Sequence, residues 1–195
     1  MDVSPPRSQF NLPNALTCSR IAAAPLLACS VMLEPFGAPA WLAVAILVFA
    51  ALTDLADGSI ARAWDQVSVL GAILDPIADK MLVVTALFLL AVEGTLSGPA
   101  LWPTLIIVWR ELLISGIREY WRYEGIGVPV TLLAKFKTVV QFSAAFFLFS
   151  ARVPLPMTKT LMETGIIALW FAAVLTLYSG LDYLYQAWRQ SWKSL

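Results

Sequence analysis

The residues of this sequence best suited to chemistry are four aspartates between positions 54 and 79. Asp54 and Asp57 lie three residues apart, Asp75 and Asp79 lie four apart, and apolar segments flank both pairs. Residues three or four apart share one face of a helix, so each pair predicts a carboxylate stripe on a helix. Four ionised aspartates at the centre of a bilayer would together cost about 10–14 kcal/mol. Divalent cations prefer hard oxygen ligands and would offset that cost, so the sequence predicts a metal site.

The aspartates belong to a longer pattern with eight fixed positions. It reads Asp-x-x-Asp-Gly-x-x-Ala-Arg, then eight residues, then Gly-x-x-x-Asp-x-x-x-Asp, beginning at Asp54 and ending at Asp79. On this pattern and its spacing the chain resembles the CDP-alcohol phosphotransferases. A polar helix pair that only holds a bundle together is the alternative, because motif matches carry a false-positive risk. A match at eight fixed positions favours the family.

The resemblance implies a site for two divalent ions, Mg²⁺ or Mn²⁺, that hold the diphosphate of a CDP-linked donor. The implied metal ligands are Asp54, Asp57, Asp75 and Asp79. Asp79 is also implied as the catalytic general base toward the acceptor hydroxyl. The implied donor-binding residues are Asn14, Thr17, Gly58, Ala61, Arg62 and Gly71. Glycine lets a nucleotide approach a helix backbone closely, and a guanidinium bonds two phosphate oxygens at once. A packing notch for Gly58 and a cytoplasmic anchor for Arg62 are the alternative roles.

Stretches outside the motif resemble the bacterial phosphatidyl-transferring branch of the family. These are residues 12–20, 75–80, 110–119 and 134–141. They imply transfer of a phosphatidyl group from CDP-diacylglycerol to sn-glycerol 3-phosphate, in phospholipid biosynthesis. The acceptor is a dianion approaching four aspartates, so cations must offset the repulsion. The candidates for its phosphate are Arg110, Arg118, Lys135 and Lys137. An ion pair of Glu111 with Arg118, and anchoring at the cytoplasmic surface, are alternative uses of these charges.

The composition indicates a membrane protein. The 195 residues are 59% hydrophobic and 13% charged, with a mean hydropathy of +0.77, whereas soluble domains contain about 25% charged residues. The formal net charge is zero, and we expect no nucleic-acid partner. Histidine is absent, so acid–base chemistry must rest on Asp, Glu, Lys, Tyr or Cys. Cys18 and Cys29 would lie roughly 16 Å apart along a helix, too far for a disulfide.

Six apolar segments predict an all-α integral membrane protein with six transmembrane helices and a short interfacial segment at residues 8–13. The expected spans are about 14–33, 40–62, 71–92, 100 to 118 or beyond, 132–150 and 160–185. Most are close to the roughly 20 residues that a bilayer requires. We expect Pro25 to kink the first span. The family resemblance implies one membrane domain over residues 1–195 and a homodimer.

The distribution of basic residues predicts the orientation of the spans. An even number of spans places both termini on one side, and the loops on the other side contain only Arg152 and Lys159 of the 13 basic residues. Cytoplasmic loops carry the excess of Lys and Arg, so both termini are expected in the cytoplasm. The aspartates then lie in the inner half of a bacterial cytoplasmic membrane, open to the cytoplasm. A soluble substrate and a lipid substrate can both reach that position.

Two alternative functions remain open at this stage. A sibling enzyme of the same family would use another acceptor: serine, inositol phosphate or phosphatidylglycerol. A cation transporter would use the intramembrane carboxylates to carry ions. Transporters often contain inverted repeats and broken helices, and no repeated halves are visible in this sequence.

Overall fold

The computed structural model describes residues 12–37, 39–63, 69–123 and 132–191, and in these the chain forms six α-helices. They are α1 (Leu12–Met32), α2 (Trp41–Ala63), α3 (Val69–Val92), α4 (Leu101–Tyr123), α5 (Leu132–Ser150) and α6 (Thr158–Ser191). Two short 3-10 helices, Glu34–Phe36 and Gly98–Ala100, lie in the turns before α2 and α4. The prediction of an all-α chain with six helices is confirmed for the described residues.

The ends of α1, α4 and α6 differ from the predicted spans. α4 continues beyond 118 and ends at Tyr123. α1 begins at Leu12, so residues 12 and 13 of the predicted interfacial segment are helical, while residues 8–11 lie outside the described part. α6 has 34 residues and ends at Ser191 rather than near 185. At 1.5 Å per residue it is about 51 Å long, well beyond a hydrocarbon core of about 30 Å. Within this extension Ala187 is buried in an apolar cluster with Ile114 of α4, and Gln186 donates a hydrogen bond to Asp182 at 2.9 Å.

The described helices have the composition and exposure of membrane helices. Three segments are long and apolar enough to cross a membrane: Asn14–Met32, Gly98–Trp121 and Thr158–Arg189. Two shorter apolar segments, Trp41–Asp54 and Phe136–Ser150, lie in α2 and α5. Large apolar side chains on their surfaces are exposed, including Leu26, Trp109 and Ile167. Such an apolar exterior suits a lipid environment, where helices do not need to hide apolar surface.

The chain divides into two compact units, Met1–Leu89 and Leu90–Leu195. In the first unit, α1 packs on α2, and Ala23 and Ala24 of α1 and Ala43 and Ala50 of α2 are all buried. Small residues let two helix backbones approach closely, which is how membrane helices associate. The single family domain over the whole chain stays a prediction.

The turns form where the sequence contains proline and glycine. Gly37 has a φ of +101° and its N–H donates to the carbonyl of Glu34 at 3.0 Å. Gly94 has a φ of +79° and its N–H donates to the carbonyl of Ala91. Positive φ is readily adopted only by glycine, so these residues end the preceding helical segments. Pro25 lies within α1, and the kink expected there stays a prediction.

In the second unit, α6 packs against both α4 and α5. Gly165 of α6 faces the fully buried Leu148 of α5. A Cβ atom added to Gly165 would lie 2.7 Å from Leu148 Cγ and 3.1 Å from the Leu148 backbone nitrogen. Because backbone as well as side chain blocks that position, the helices can be this close only with glycine at 165.

Replacing Gly165 with alanine is expected to force α5 and α6 apart and to lower the free energy of unfolding by about 1–3 kcal/mol. The measurement is denaturant unfolding in detergent, followed by circular dichroism. Gly116→Ala in α4 is the matched control, because a Cβ there meets nothing within 4 Å. Alanine is the better helix former, so the control is expected to be neutral or slightly stabilising. Equal losses in both variants would contradict the tight contact at Gly165.

Candidate active site

A polar stripe lies on the buried face of α1. Asn14, Thr17 and Arg20 follow one another at intervals of three residues, and each is at most 2% exposed. Residues at this spacing share a helix face. The buried residues Ala24 and Leu27 continue that face toward the other end of α1. A charged side chain within a membrane helix is costly and marks a functional site by default, so the stripe indicates a centre at this end of α1.

Arg20 joins the carboxylates at the two ends of the aspartate motif. Its Nη1 atom donates hydrogen bonds to Oδ1 of Asp54 and, at 2.6 Å, to Oδ1 of Asp79. These three residues come from α1, α2 and α3. The arginine side chain is 2% exposed, whereas the aspartate side chains are 38% and 35% exposed. The Arg20 guanidinium is therefore buried among the helices, whereas the carboxylates of Asp54 and Asp79 are accessible at the surface.

The other motif residues lie on the last turns of α2 and the first turns of α3. Asp57 follows Asp54 by three residues on α2, and Asp75 precedes Asp79 by four on α3, so each lies one turn from its described neighbour. The structure does not describe the surroundings of six other motif residues: Asp57, Gly58, Ala61, Arg62, Gly71 and Asp75. Their predicted roles in metal and donor binding stay predictions.

The described carboxylates fit the divalent cations that the motif implies. Oxygen atoms of Asp54 and Asp79 approach the same nitrogen atom, so the two side chains converge on one point where positive charge is favourable. Mg²⁺ and Mn²⁺ prefer such hard oxygen ligands. One guanidinium balances only one of the two negative charges, which leaves a formal charge of −1 on the three residues. The chemistry and the accessibility of this donor set suit a cation.

A second polar cluster lies in the second unit, where α4, α5 and α6 meet. We call it the Glu111 cluster; its members are Arg110, Glu111, Lys137, Gln141, Thr176 and Ser179, all of which are buried. Glu111 Oε1 accepts hydrogen bonds from Lys137 Nζ and, at 3.2 Å, from Gln141 Nε2. Arg110 Nη1 lies 3.5 Å from the same oxygen. Glu111 Oε1 is therefore contacted by donor groups from both α4 and α5.

The cluster extends to α6 through two further hydrogen bonds. Gln141 Nε2 also donates to Thr176 Oγ1 at 3.0 Å, and Arg110 Nη2 donates to Ser179 Oγ at 2.9 Å. Ser179 in turn donates to the carbonyl of Thr176 at 3.2 Å. Buried charges in a membrane protein need such partners, because an unpaired charge there is costly. The cluster thus ties the three helices of the second unit together.

The predicted acceptor-binding residues fall in different environments. Arg110 and Lys137 lie within the Glu111 cluster. Arg118 is half-buried, and its guanidinium carbon lies 5.2 Å from the centre of the Tyr183 ring. In the described part of the chain Arg118 forms no ion pair with Glu111, whose cationic partners are Arg110 and Lys137. Lys135 lies on α5, with its side chain outside the described part. Contact of any of them with an acceptor phosphate stays a prediction.

The sequence did not single out Arg20, Gln141 or Ser179 as functional residues. The spacing of Arg20 from Asn14 and Thr17 could have indicated its role, because a charged residue on the polar face of a membrane helix is costly unless it has a partner. Gln141 ends the family-like stretch at residues 134–141 but was given no role there, and Ser179 offered only its polarity within an apolar segment. Their partners lie 30 and 69 positions away in the sequence, and no local pattern predicts such pairs.

Comparison with known proteins identifies relatives of this sequence. A family model described as CDP-alcohol phosphatidyltransferase matches residues 10–178. A Cereibacter sphaeroides protein named CDP-diacylglycerol–glycerol-3-phosphate 3-phosphatidyltransferase is 41% identical over 142 residues, which are 72% of this chain and 63% of that relative. A Pectobacterium atrosepticum protein of the same name is 40% identical over 179 residues, 90% of this chain and 94% of the relative.

A third relative carries a different name. A cardiolipin synthase (CMP-forming) of Oryza sativa subsp. japonica is 35% identical over 198 aligned residues, which cover 95% of this chain and 60% of the relative. The chain therefore spans less than two thirds of the Cereibacter and Oryza relatives and nearly all of the Pectobacterium one.

Replacing Arg20 with glutamine is expected to lower the free energy of unfolding by about 1–3 kcal/mol, because two carboxylates lose a charged donor. Thermal or denaturant unfolding in detergent without added metal measures the loss. Lys159→Gln is the control, since Lys159 and Glu163 form an exposed pair at 3.9 Å. Exposed pairs contribute little, so the control is expected to change stability by less than about 0.5 kcal/mol. An Arg20→Gln protein as stable as the control would show that the bridge does not hold the three helices.

Proposed function

This chain belongs to the CDP-alcohol phosphatidyltransferase family, and we propose that it transfers a phosphatidyl group from CDP-diacylglycerol to sn-glycerol 3-phosphate. The products are phosphatidylglycerophosphate and CMP. Two bacterial relatives named for this reaction, 40–41% identical, support the acceptor. The structural observation that carries the proposal is the convergence of Asp54 and Asp79, from the two halves of the motif, at an accessible point between helices.

The reaction is a single displacement at phosphorus. The acceptor hydroxyl oxygen bonds to the phosphorus that carries diacylglycerol, the bond from that phosphorus to CMP breaks, and the hydroxyl proton passes to Asp79. Histidine is absent from the chain, and no activated nucleophile that would form a covalent intermediate is evident in the sequence. Arg20 orients the Asp79 carboxylate through the 2.6 Å hydrogen bond. The exposed third of the Asp79 side chain leaves room for a soluble alcohol to approach.

The proposed cofactor is a pair of divalent ions, Mg²⁺ or Mn²⁺, held by Asp54, Asp57, Asp75 and Asp79. When bound, they supply Lewis acidity to the donor diphosphate and stabilise the charge on departing CMP. On the donor side we assign contacts with CDP to Asn14, Thr17, Gly58, Ala61, Arg62 and Gly71. Asn14 and Thr17 support this assignment because they extend the polar face of α1 that ends at Arg20.

On the acceptor side we assign the phosphate of glycerol 3-phosphate to Arg118 and Lys135. Arg118 supports this role because an aromatic ring, not an acid, is its partner among the described side chains. A guanidinium stacked on a ring keeps its N–H donors available for phosphate oxygens. Arg110 and Lys137 were predicted for the same phosphate, but Glu111 already engages both.

We propose six membrane spans, with both termini and the aspartate site facing the cytoplasm of a bacterial inner membrane, in a homodimer. The pair formed by Arg152 and Glu93 supports this arrangement. Arg152 follows α5 and Glu93 follows α3, and their side chains meet at 2.8 Å. In a six-span chain these two turns lie on the same outer side, so contact between them is expected. The basic residues remaining elsewhere favour the opposite, cytoplasmic side.

A sibling activity is the second candidate, because the Oryza relative is named a cardiolipin synthase. That enzyme class differs in the acceptor, which would be phosphatidylglycerol, a lipid, in place of a soluble phosphate ester. The cations that we assign to the acceptor site favour the more highly charged glycerol 3-phosphate. A cation transporter shares the intramembrane carboxylates but would not release CMP.

An acceptor panel is expected to give CMP release from CDP-diacylglycerol with glycerol 3-phosphate and to give phosphatidylglycerophosphate as the lipid product. The purified protein is offered glycerol 3-phosphate, serine, inositol phosphate and phosphatidylglycerol in parallel, and CMP and lipid products are quantified. A metal chelator is expected to abolish turnover, and excess Mg²⁺ or Mn²⁺ to restore it, because the carboxylates require the ions.

Each result of this panel bears on one part of the proposal. If the protein prefers phosphatidylglycerol or serine, that molecule and not glycerol 3-phosphate is the acceptor. Turnover that survives the chelator would contradict the metal requirement, and ion flux into sealed vesicles without CMP release would favour transport. Glycerol 3-phosphate supplied outside inverted membrane vesicles is expected to react, whereas the same addition to right-side-out vesicles is not. The reverse result would contradict the cytoplasmic orientation.

Replacing Asp79 with asparagine is expected to lower kcat about 10²–10⁴-fold, because the variant loses its proton acceptor and one proposed metal ligand. CMP release at saturating Mg²⁺ and saturating substrates measures the loss. Glu163→Gln is the matched control, since Glu163 is an exposed acid on α6, and its kcat is expected to stay at the wild-type value. An Asp79→Asn protein with near wild-type turnover would contradict the assignment of Asp79.

A further inference from the structure

The Glu111 cluster contains an uneven number of charges in a place where charge is costly. Arg110, Glu111 and Lys137 are 8%, 8% and 5% exposed. Two cations and one acid give the cluster a formal charge of +1. Removal of one partner from a buried ion pair leaves the other charge uncompensated, which is strongly unfavourable. Glu111 is therefore the group whose loss would leave two neighbouring buried cations without a counter-charge.

The geometry of Lys137 and Arg110 turns both cations toward Glu111. Lys137 Nζ donates to Glu111 Oε1, and Arg110 divides its guanidinium between that oxygen and Ser179 Oγ. A lysine that is 5% exposed and already bonded to a carboxylate must break that bond to reach a phosphate. The structure thus favours an indirect role for these cations in acceptor binding.

We propose that Glu111 is a positioning residue for the acceptor side of the reaction. By holding Lys137 of α5 and Arg110 of α4 inside the bundle, it fixes the two helices that carry Lys135 and Arg118. Arg118 follows Glu111 by seven residues, two helical turns along α4, so these two residues share one face of that helix. This inference rests on the proposed function, and it assigns to Glu111, Lys137 and Arg110 the placement of the acceptor-binding cations, with no contact to the phosphate.

A glycine on α6 supports the same interpretation. A Cβ atom added to Gly180 would lie 3.0 Å from Arg110 Nε and 3.3 Å from Arg110 Cγ. The Arg110 side chain therefore lies directly against the α6 backbone at Gly180, where there is no side chain to exclude it. Alanine at 180 would require the Arg110 side chain to shift by a few tenths of an ångström, which provides a second way to disturb the cluster without changing a charge.

The test is a double-mutant cycle of Glu111→Gln and Lys137→Gln, read in three quantities for each variant. These are the KM for glycerol 3-phosphate, the KM for CDP-diacylglycerol, and the Kd of glycerol 3-phosphate from calorimetry on the purified protein. The formal charge of the cluster is +1 in the wild type, +2 in Glu111→Gln, 0 in Lys137→Gln and +1 in the double variant. Coupling between the two sites appears as a departure from additivity.

A positioning role predicts a particular pattern in this cycle. Glu111→Gln is expected to raise the KM and Kd for glycerol 3-phosphate about tenfold, because misplacement of binding groups by a fraction of an ångström is enough. The KM for CDP-diacylglycerol is expected to change less than about twofold, which separates lost acceptor binding from general damage. The double variant is expected to bind glycerol 3-phosphate better than Glu111→Gln does, because its charge balance is restored.

Two results would overturn the proposal. If Lys137→Gln weakens glycerol 3-phosphate binding as much in the Glu111→Gln background as in the wild type, Lys137 contacts the phosphate directly. If every variant is less stable but binds glycerol 3-phosphate as the wild type does, Glu111 is only structural. Should Glu111→Gln fail to fold, Gly180→Ala replaces it, with an expected rise of about threefold in the same KM and Kd, and Gly116→Ala is its control. Unchanged binding in Gly180→Ala would likewise overturn the proposal.

The failure of this inference and that of the proposed function are distinguishable. A wild-type protein that releases no CMP with glycerol 3-phosphate refutes the proposed function, whatever the variants do. A wild-type protein that is active but gives an additive cycle retains the function and refutes the role of Glu111.

Discussion

The pairing of charges within apolar helices is the constraint on which this structure depends. In the first unit, one arginine lies between two aspartates, and a formal charge of −1 remains. In the second unit, one glutamate gathers a lysine and an arginine, and a formal charge of +1 remains. Neither residual charge is favourable in lipid unless a partner offsets it. For the first cluster we propose a divalent cation as that partner. For the second we propose that the paired charges place the cations that bind the acceptor.

Glycine and alanine determine how closely the helices approach. In the first unit, α1 and α2 pack together, and Ala23 of α1 and Ala43 of α2 are buried, as expected where small residues let helices approach closely. In the second unit, α6 uses two glycines for different purposes. Gly165 admits the Leu148 side chain and backbone of α5, and Gly180 admits the guanidinium of Arg110 from α4. One contact is apolar packing, and the other brings a charge close enough to hydrogen-bond across helices. The same small residue therefore serves both the stability of the unit and the geometry of its polar cluster.

The sequence predicted the six helices well because apolar length and turn residues are local properties. The second, third and fifth spans were placed within about two residues of α2, α3 and α5, an uncertainty normal for helix ends. The end of α6 was not predicted, since polar residues are more frequent beyond 185 and the packing of Ala187 against α4 is a tertiary contact that the sequence does not reveal. The bridge from Arg20 to Asp79 spans 59 positions and that from Lys137 to Glu111 spans 26. Such pairs depend on which helix faces meet. For the same reason, the sequence could identify Arg110 and Lys137 as notable charges but could not find their partner.

The position of Asp79 also constrains the order of events in the proposed reaction. A carboxylate is a weak base toward an alcohol, and the guanidinium of Arg20 occupies one of its oxygens. Proton abstraction before bond formation is therefore unfavourable. As the hydroxyl oxygen bonds to phosphorus, it becomes positively polarised and its proton becomes acidic enough for the carboxylate to accept. The proton must accordingly move late in the displacement. In that order of events, the hydrogen bond from Arg20 fixes the orientation of the Asp79 carboxylate before the proton moves.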